Sequence, residues 1–230
     1  MTRSEMLDLI RSNIEQHGHH VTLVAQGVVP RFAYTIGLKS KVGAELVFAG
    51  ASTYSAAQVQ QLMNDAASAL GPGLKSLRQV DSSWVKLLLL GALDFYDEPS
   101  IPALQILPDK QHWTVEVPDL SAPFAPQSEP VWQWLTAPWT LPIPKNSTAV
   151  TNLSALRGDR ITEAARWEED QWELFAGPGS DVPKSEARTV PFATLYAVDP
   201  SLVSAASLPV GSALWRHASE LEWHDWPRRE

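Results

Sequence analysis

Near the start of the chain, apolar residues recur at helical spacing: Met6, Leu9, Ile10 and Ile14 fall on one face of a 3.6-residue period. Thr2 with Glu5 three residues later forms a capping box ahead of them. Gly18 ends the segment where a left-handed cap costs glycine little. The pattern then shortens to β-like runs, Val21 to Ala25 and Phe32 to Ile36, parted by Gly27 and Pro30, with Glu45 to Ala49 as a third. A second capping box, Ser55 with Gln58, opens a helix that buries Val59, Leu62, Met63, Ala66 and Leu70. Gly71-Pro72-Gly73 stops it. Four further runs read as strands: Leu74 to Val80, Trp84 to Leu90, Leu104 to Leu107 and Trp113 to Val117. Residues 1–117 are therefore expected to form one α+β domain, a mostly antiparallel sheet with two packed helices.

Between Pro118 and Pro144 the pattern breaks. Seven prolines (118, 123, 126, 130, 138, 142 and 144) share this stretch with Trp132, Trp134 and Trp139. Proline removes a backbone donor and fixes φ, so neither a long helix nor a central strand is expected. Three large rings argue against a bare linker. Residues 118–145 read as an ordered wrap that packs its rings on one domain and crosses to the next. A second small α+β domain is expected over residues 146–230. Its strands are Ile161 to Trp167 and Trp172 to Phe175 around the acidic turn Glu168-Glu169-Asp170. Val190 to Val198 enters a helical turn, Asp199-Pro200 begins a short helix, and Ser212 to Arg216 forms a last strand before a charged, Trp-rich tail.

Composition narrows the chemistry. The 230 residues include no cysteine, which excludes disulfides, thiolate metal sites and a cysteine nucleophile. With 18 Lys and Arg against 26 Asp and Glu, the net charge of −8 argues against non-specific nucleic-acid binding, which needs cations to displace counterions, and is compatible with a basic protein partner. The acidity is uneven: residues 1–150 hold 10 basic and 13 acidic side chains, residues 151–230 hold 8 and 13. The longest apolar run, Val85 to Leu93, is broken by Lys86 and Gly91 and is far shorter than the roughly 20 residues that span a bilayer. The first residues lack a signal-peptide apolar block, so a cytoplasmic location without membrane contact is expected.

Nucleophile, phosphate and dinucleotide motifs are missing from the sequence. His17, His19 and His20 invite a zinc reading, but His19 and His20 point oppositely if extended, so a polar helix-to-strand junction is expected, with no bound metal or cofactor. His224-Asp225 and the acids Asp94, Asp97 and Glu98 have the composition of acid–base groups, but a solvated tail and an exposed turn at a strand end, respectively, are the expected readings. Trp172, after the acidic run, and Trp223 and Trp226, flanking His224-Asp225, are either hot-spot rings or core filling.

The N-terminal domain resembles an uncharacterised bacterial domain family whose pattern is a helix ending in His-Gly, a strand, and a phrase like F-A-Y-T-I-G-L. Here these are His17-Gly18, the VTLVA run and Phe32-Ala33-Tyr34-Thr35-Ile36-Gly37-Leu38. Glu45 to Gly50 is similar to that family's P-E-L-hydrophobic-G segment, with Ala44 in place of the proline, and Gln105 to Asp109 to its Q-hydrophobic-P-D phrase. The C-terminal domain resembles an immunity-protein family found beside bacterial polymorphic toxins. The resemblance runs through Arg166 to Gly177, Val190-Pro191-Phe192, Asp199-Pro200-Ser201-Leu202 and Leu208 to Ala213; Gln171 and Leu214-Trp215 depart from it. This second resemblance implies an immunity protein of interbacterial competition. It would bind and occlude a basic cognate toxin, without catalysis, through Glu168, Glu169, Asp170, Trp172, Glu222, Trp223, Asp225 and Trp226. The alternative is a metal-dependent hydrolase or small-molecule binder with a pocket near His17, His19, Tyr34 and Thr35.

Overall fold

A computed structural model describes residues 2–25, 27–50, 52–70 and 77–226. Helix α1 (Arg3–His17) begins and ends as its signals require. The Thr2 hydroxyl accepts from the Glu5 N–H, the Glu5 carboxylate accepts from the Thr2 N–H, and Gly18 closes the helix at φ 83°. The first sheet contains β1 (His20–Val24), β2 (Phe32–Ile36), β3 (Glu45–Ala49), β4 (Arg78–Gln79) and β5 (Ala103–Gln105), in the order β1-β2-β3-β5-β4, with the one-turn helix α2 (Lys39–Val42) between β2 and β3. Its β3–β5 pair is parallel and the other pairs are antiparallel.

Side-chain alternation sends β2 into two cores. Phe32, Tyr34 and Ile36 meet Ile10 of α1, together with Trp84, Val85 and Leu88 of α4 (Ser82–Leu88). On the opposite face Ala33, with Leu46 and Phe48 of β3, meets Val59 and Met63 of α3 (Ala56–Ala69). Every residue of β2 and β3 is consequently buried, the signature of strands covered on both faces.

Two runs expected as strands are not. Trp84 to Leu90 lies in α4 and the start of α5 (Leu90–Tyr96). Its buried positions, 84, 85, 88, 89 and 92, follow the helical period, and the Asp81 carboxylate caps the helix by accepting the Ser83 N–H. The acids Asp94, Asp97 and Glu98 thereby sit at the end of a helix: Asp94 pairs with Arg3, Glu98 with Lys39, and Asp97 takes the left-handed cap. Trp113 to Val117 is irregular, held by the Val115 N–H donating to the Leu156 carbonyl and by buried Glu116. The expected stop at Gly71-Pro72-Gly73 and the beginning of the run from Leu74 lie outside the described residues; of that run, Arg78–Gln79 is strand.

The proline-rich wrap is ordered by its tryptophans. Trp132 is fully buried among Phe32 and Trp84, and its indole N–H donates to the Glu116 carbonyl at 2.9 Å. Two residues on, Trp134 stacks on Tyr196 of the second domain and meets Trp139 edge-on. Leu120 and Val131 belong to the first core, Leu141 and Ile143 to the second, so the segment divides between them.

The second sheet adds β6 (Thr148–Thr151), β7 (Glu163–Arg166), β8 (Gln171–Phe175), β9 (Arg188–Pro191), β10 (Ser212–Trp215) and β11 (His224–Asp225), ordered β11-β10-β7-β8-β6-β9. Only the β6–β8 pair is parallel. One face carries the core: Ala149, Ala164, Trp172 and Leu174 pack with Phe192 and Leu195 of the final α-helix (Phe192–Val198) and with Leu202 and Ala205. The helix expected from Asp199-Pro200 is two 3₁₀ turns, Pro200–Val203 and Ala205–Ser207. A buried ion pair joins this region to β10: Arg216 donates to Asp199 at 2.5 Å and to the Ile161 carbonyl at 2.7 Å. The chain is thus α+β, with two separate, mostly antiparallel sheets and helices packed on them.

Candidate functional site

The motif-bearing residues of the first domain converge on buried Glu45. Its carboxylate accepts from the Thr35 hydroxyl (2.6 Å), the N–H groups of Gly37 (2.9 Å), Leu38 (3.3 Å) and Lys39 (3.0 Å), and the Tyr96 hydroxyl (2.5 Å). Burial and this carboxylate together raise the Tyr96 phenol above its ordinary range. Five donors saturate the acceptor sites of one carboxylate, so the group fastens β2 to β3 and the turn after β2, with no lone pair left for a substrate. Gln105 has a similar role: its amide donates to the Pro118 carbonyl and accepts from the Leu120 N–H. Gly50, at φ 80°, lets the backbone of Glu116 approach to where a Cβ would stand 2.3 Å from its carbonyl oxygen.

The three N-terminal histidines do share a polar cleft of about 500 Å³, between α1 and α3 at the start of the edge strand β1. His20 pairs with Asn13 of α1 at 2.8 Å and His19 with Asn64 of α3 at 3.1 Å, each imidazole engaged by a different helix. Burial and the neighbouring His19 lower the His20 pKa, favouring its neutral form. Among the described residues no three histidines or carboxylates are placed to hold a metal ion. Tyr34 and Thr35 do not line this cleft. Tyr34 faces the α1–α4 core, its hydroxyl accepting the Gly91 N–H, and Thr35 is consumed by Glu45.

A different kind of site lies on the second sheet, on the face opposite its core. Cross-strand register aligns Glu163 with Phe175 and Trp215, and Ala165 with Glu173 and Ala213. The small side chains of Ala165 and Ala213 leave a trough of about 360 Å³ walled by Trp167, Trp226 and Phe175 and lined by Glu173 and by Glu163, whose carboxylate accepts the Gly179 N–H at 2.8 Å. Trp167 is 54% exposed and Trp226 45%. Both are positioned by backbone: the Trp167 N–H donates to Gln171, and the Trp226 N–H to Ala213 on β10. The acidic turn adjoins the trough. Arg166 holds it in place by donating to the carbonyls of Glu168 (3.3 Å), Glu169 (2.7 Å) and Leu208 (2.9 Å), while the exposed Glu168 carboxylate accepts from the Gln171 amide at 3.0 Å.

The residues expected to face a partner separate accordingly. Glu168, Glu169, Glu222, Asp225 and Trp226 are exposed and Asp170 is half-buried. Trp172 is not on the surface: it is 1% exposed, packed edge-on against Phe192 at 5.0 Å, so no partner reaches it in the folded chain. Trp223 is half-buried beneath the Arg216 guanidinium at 4.2 Å and belongs with the core. His224 faces Glu220 at 3.4 Å, and the adjacent Asp225 does not orient it. Trp167, Glu163 and Glu173 escaped the sequence reading, although the alternation of buried Ala164 and Leu174 with these positions carried the signal.

No helix among the described residues is long and apolar enough to cross a membrane. Comparison with curated proteins and with solved structures finds no match. Nothing in the comparisons assigns the C-terminal domain to a family of immunity proteins. The motif phrases around Gly18, Thr35, Glu45 and Gln105 fall inside the region that does match: residues 13–113 correspond to the family described as Domain of unknown function (DUF4262).

Proposed function

We propose that the chain is an immunity protein that binds a basic cognate toxin and occludes it, with no chemical step of its own. The observation that carries this reading is the trough on the open face of the second sheet. Two half-exposed tryptophans frame a floor of small side chains lined by Glu163 and Glu173, and the exposed acids Glu168 and Glu169 follow Trp167 in the adjoining turn. Tryptophans in a desolvated centre supply binding energy, and a rim of one charge steers an oppositely charged partner and speeds encounter. The face is built on paired strands, so it is presented without a conformational change.

The test is co-expression of the chain with each protein encoded beside its gene, scored for survival of the toxin-producing cell and for co-purification. Protection with a stable complex, both lost in a Trp167→Ala/Trp226→Ala double variant, is the expected result. Absence of both complex and protection, or full protection by the double variant, overturns the reading. A second reading, a small-molecule binder of the first domain, is favoured by the histidine cleft alone. Its metal-dependent form predicts stoichiometric zinc in the purified protein, which elemental analysis detects directly.

A further inference from the structure

Edge strands of the two sheets border one cleft, and the charged side chains that line it are basic although the chain is acidic. Edge strand β1 of the first sheet and edge strand β9 of the second border a cleft of about 560 Å³, together with the start of α3. Arg31, entering β2, and Arg188, opening β9, both line it, and among the described residues no Asp or Glu does, although the chain as a whole carries −8. Arg31 is half-buried and its guanidinium has neither a hydrogen-bond partner nor an ion pair among the described residues; its Nε atom is shut off from solvent. Glu116 acts on Arg31 only as a more distant charge, its own carboxylate being taken up by the Ser52 N–H (2.8 Å) and hydroxyl (2.9 Å). Arg188 spends one nitrogen on the carbonyls of Ser185 and Ala187, and its other guanidinium nitrogens have no hydrogen-bond partner among the described residues.

A buried donor without an acceptor costs about 1–3 kcal/mol, and more when it is charged. Folded proteins therefore pair such groups or use them. Two guanidinium groups in a cleft without carboxylates match a dianion, because the planar fork of arginine binds phosphate oxygens in pairs. The Tyr54 and Ser55 side chains add hydroxyls to the same wall, and Leu23 adds an apolar surface. The volume lies within the range of small-molecule sites.

We propose that this inter-sheet cleft binds a small phosphate-bearing molecule, its anionic group held between Arg31 and Arg188. The site is separate from the tryptophan trough, so it stands or falls independently of the toxin-binding reading.

Calorimetric titration of the full chain with pyrophosphate, at ionic strength held constant with chloride, tests it. Saturable binding at one site per chain is expected. Arg31→Met and Arg188→Met should each weaken it about tenfold or more, as expected for loss of a charge-assisted contact. Lys86→Met, which removes an exposed cation from α4, should leave it unchanged. Saturable binding of citrate but not of pyrophosphate would make the ligand a carboxylate and overturn the phosphate assignment. No saturable heat with the intact chain, or undiminished binding in both arginine variants, overturns the site. Circular dichroism checks folding, and if Arg31→Met does not fold, Arg188→Met, on an edge strand, decides alone.

Discussion

The two sheets of this chain solve the same packing problem differently. In the first, helices cover both faces, and β2 and β3 expose none of their ten residues. In the second, helices and 3₁₀ turns cover one face, and β10 is only half-buried along its length. The matched family region lies wholly in the first sheet and its helices. Its motif residues, Thr35, Gly37, Glu45 and Gln105, are engaged with one another or with backbone. The difference teaches where function has room: a surface saturated with internal contacts has nothing left to offer a ligand, whereas a sheet face left open does.

The contrast breaks most visibly if the covered region tolerates truncation. Trp132→Ala empties a site enclosed by Phe32 and Trp84 and orphans the Glu116 carbonyl. A loss of about 3–5 kcal/mol is expected, read from the shift in urea midpoint at unchanged slope. Glu45→Ala follows, at about 3 kcal/mol, since it strands five donors at once. Glu45→Gln, which retains one acceptor oxygen, should lose less. Equal stability of Glu45→Ala and the parent protein would remove the structural explanation of the motif.

A smaller effect tests the electrostatics beneath the inter-sheet cleft. Burial raises the Glu116 carboxyl above its ordinary value near 4.5, outweighing the hydrogen bonds from Ser52 and the charge of Arg31. Between that ordinary value and the raised one, the folded chain holds a proton that the unfolded chain has released. The contribution of Glu116 is therefore greatest at acid pH and is lost as pH rises through this window. Glu116→Gln removes the titration. Its stability relative to the parent should improve steadily as pH climbs from about 4.5 to neutrality, judged from urea midpoints along a pH series. A difference independent of pH would show that the carboxyl is ionised throughout.

How much of this was legible in the sequence depended on whether a local signal existed. The helix beginning after Thr2 and the one opened by Ser55 were readable because each capping box is complete within four residues. The run from Trp84 misled because apolar residues fill nearly every position beside Lys86, so the period of the buried ones does not stand out; only Asp81 ahead of it marked a helix. Strand β6 carried too few residues to stand out, and its parallel partner, β8, is remote in sequence. The acidic turn and Trp226 were visible as exposed and aromatic. Their assembly with Trp167 into one trough depends on β10 lying between β7 and β11, which no local pattern encodes. Trp172 was ambiguous for the opposite reason, since a tryptophan in an alternating strand reads as core or surface until the sheet has a covered face.

The sharpest form of the contrast has the smallest effect on stability. Trp167→Ala and Trp226→Ala remove rings that are about half exposed and packed on neither core. Each should change stability by no more than about 0.5 kcal/mol, against several for Trp132. If the open face is the binding surface, the same substitutions should reduce partner affinity by tenfold or more, about 1.4 kcal/mol, because a ring at an interface centre buries its whole area only in the complex. Adding charge reversal at Glu168 and Glu169, on the rim, should lower the association rate and its salt dependence while leaving the dissociation rate nearly unchanged. Stopped-flow association at two ionic strengths separates these terms. Large losses of stability in either tryptophan variant would mean that the rings serve the fold, and the second sheet would then differ from the first only in degree.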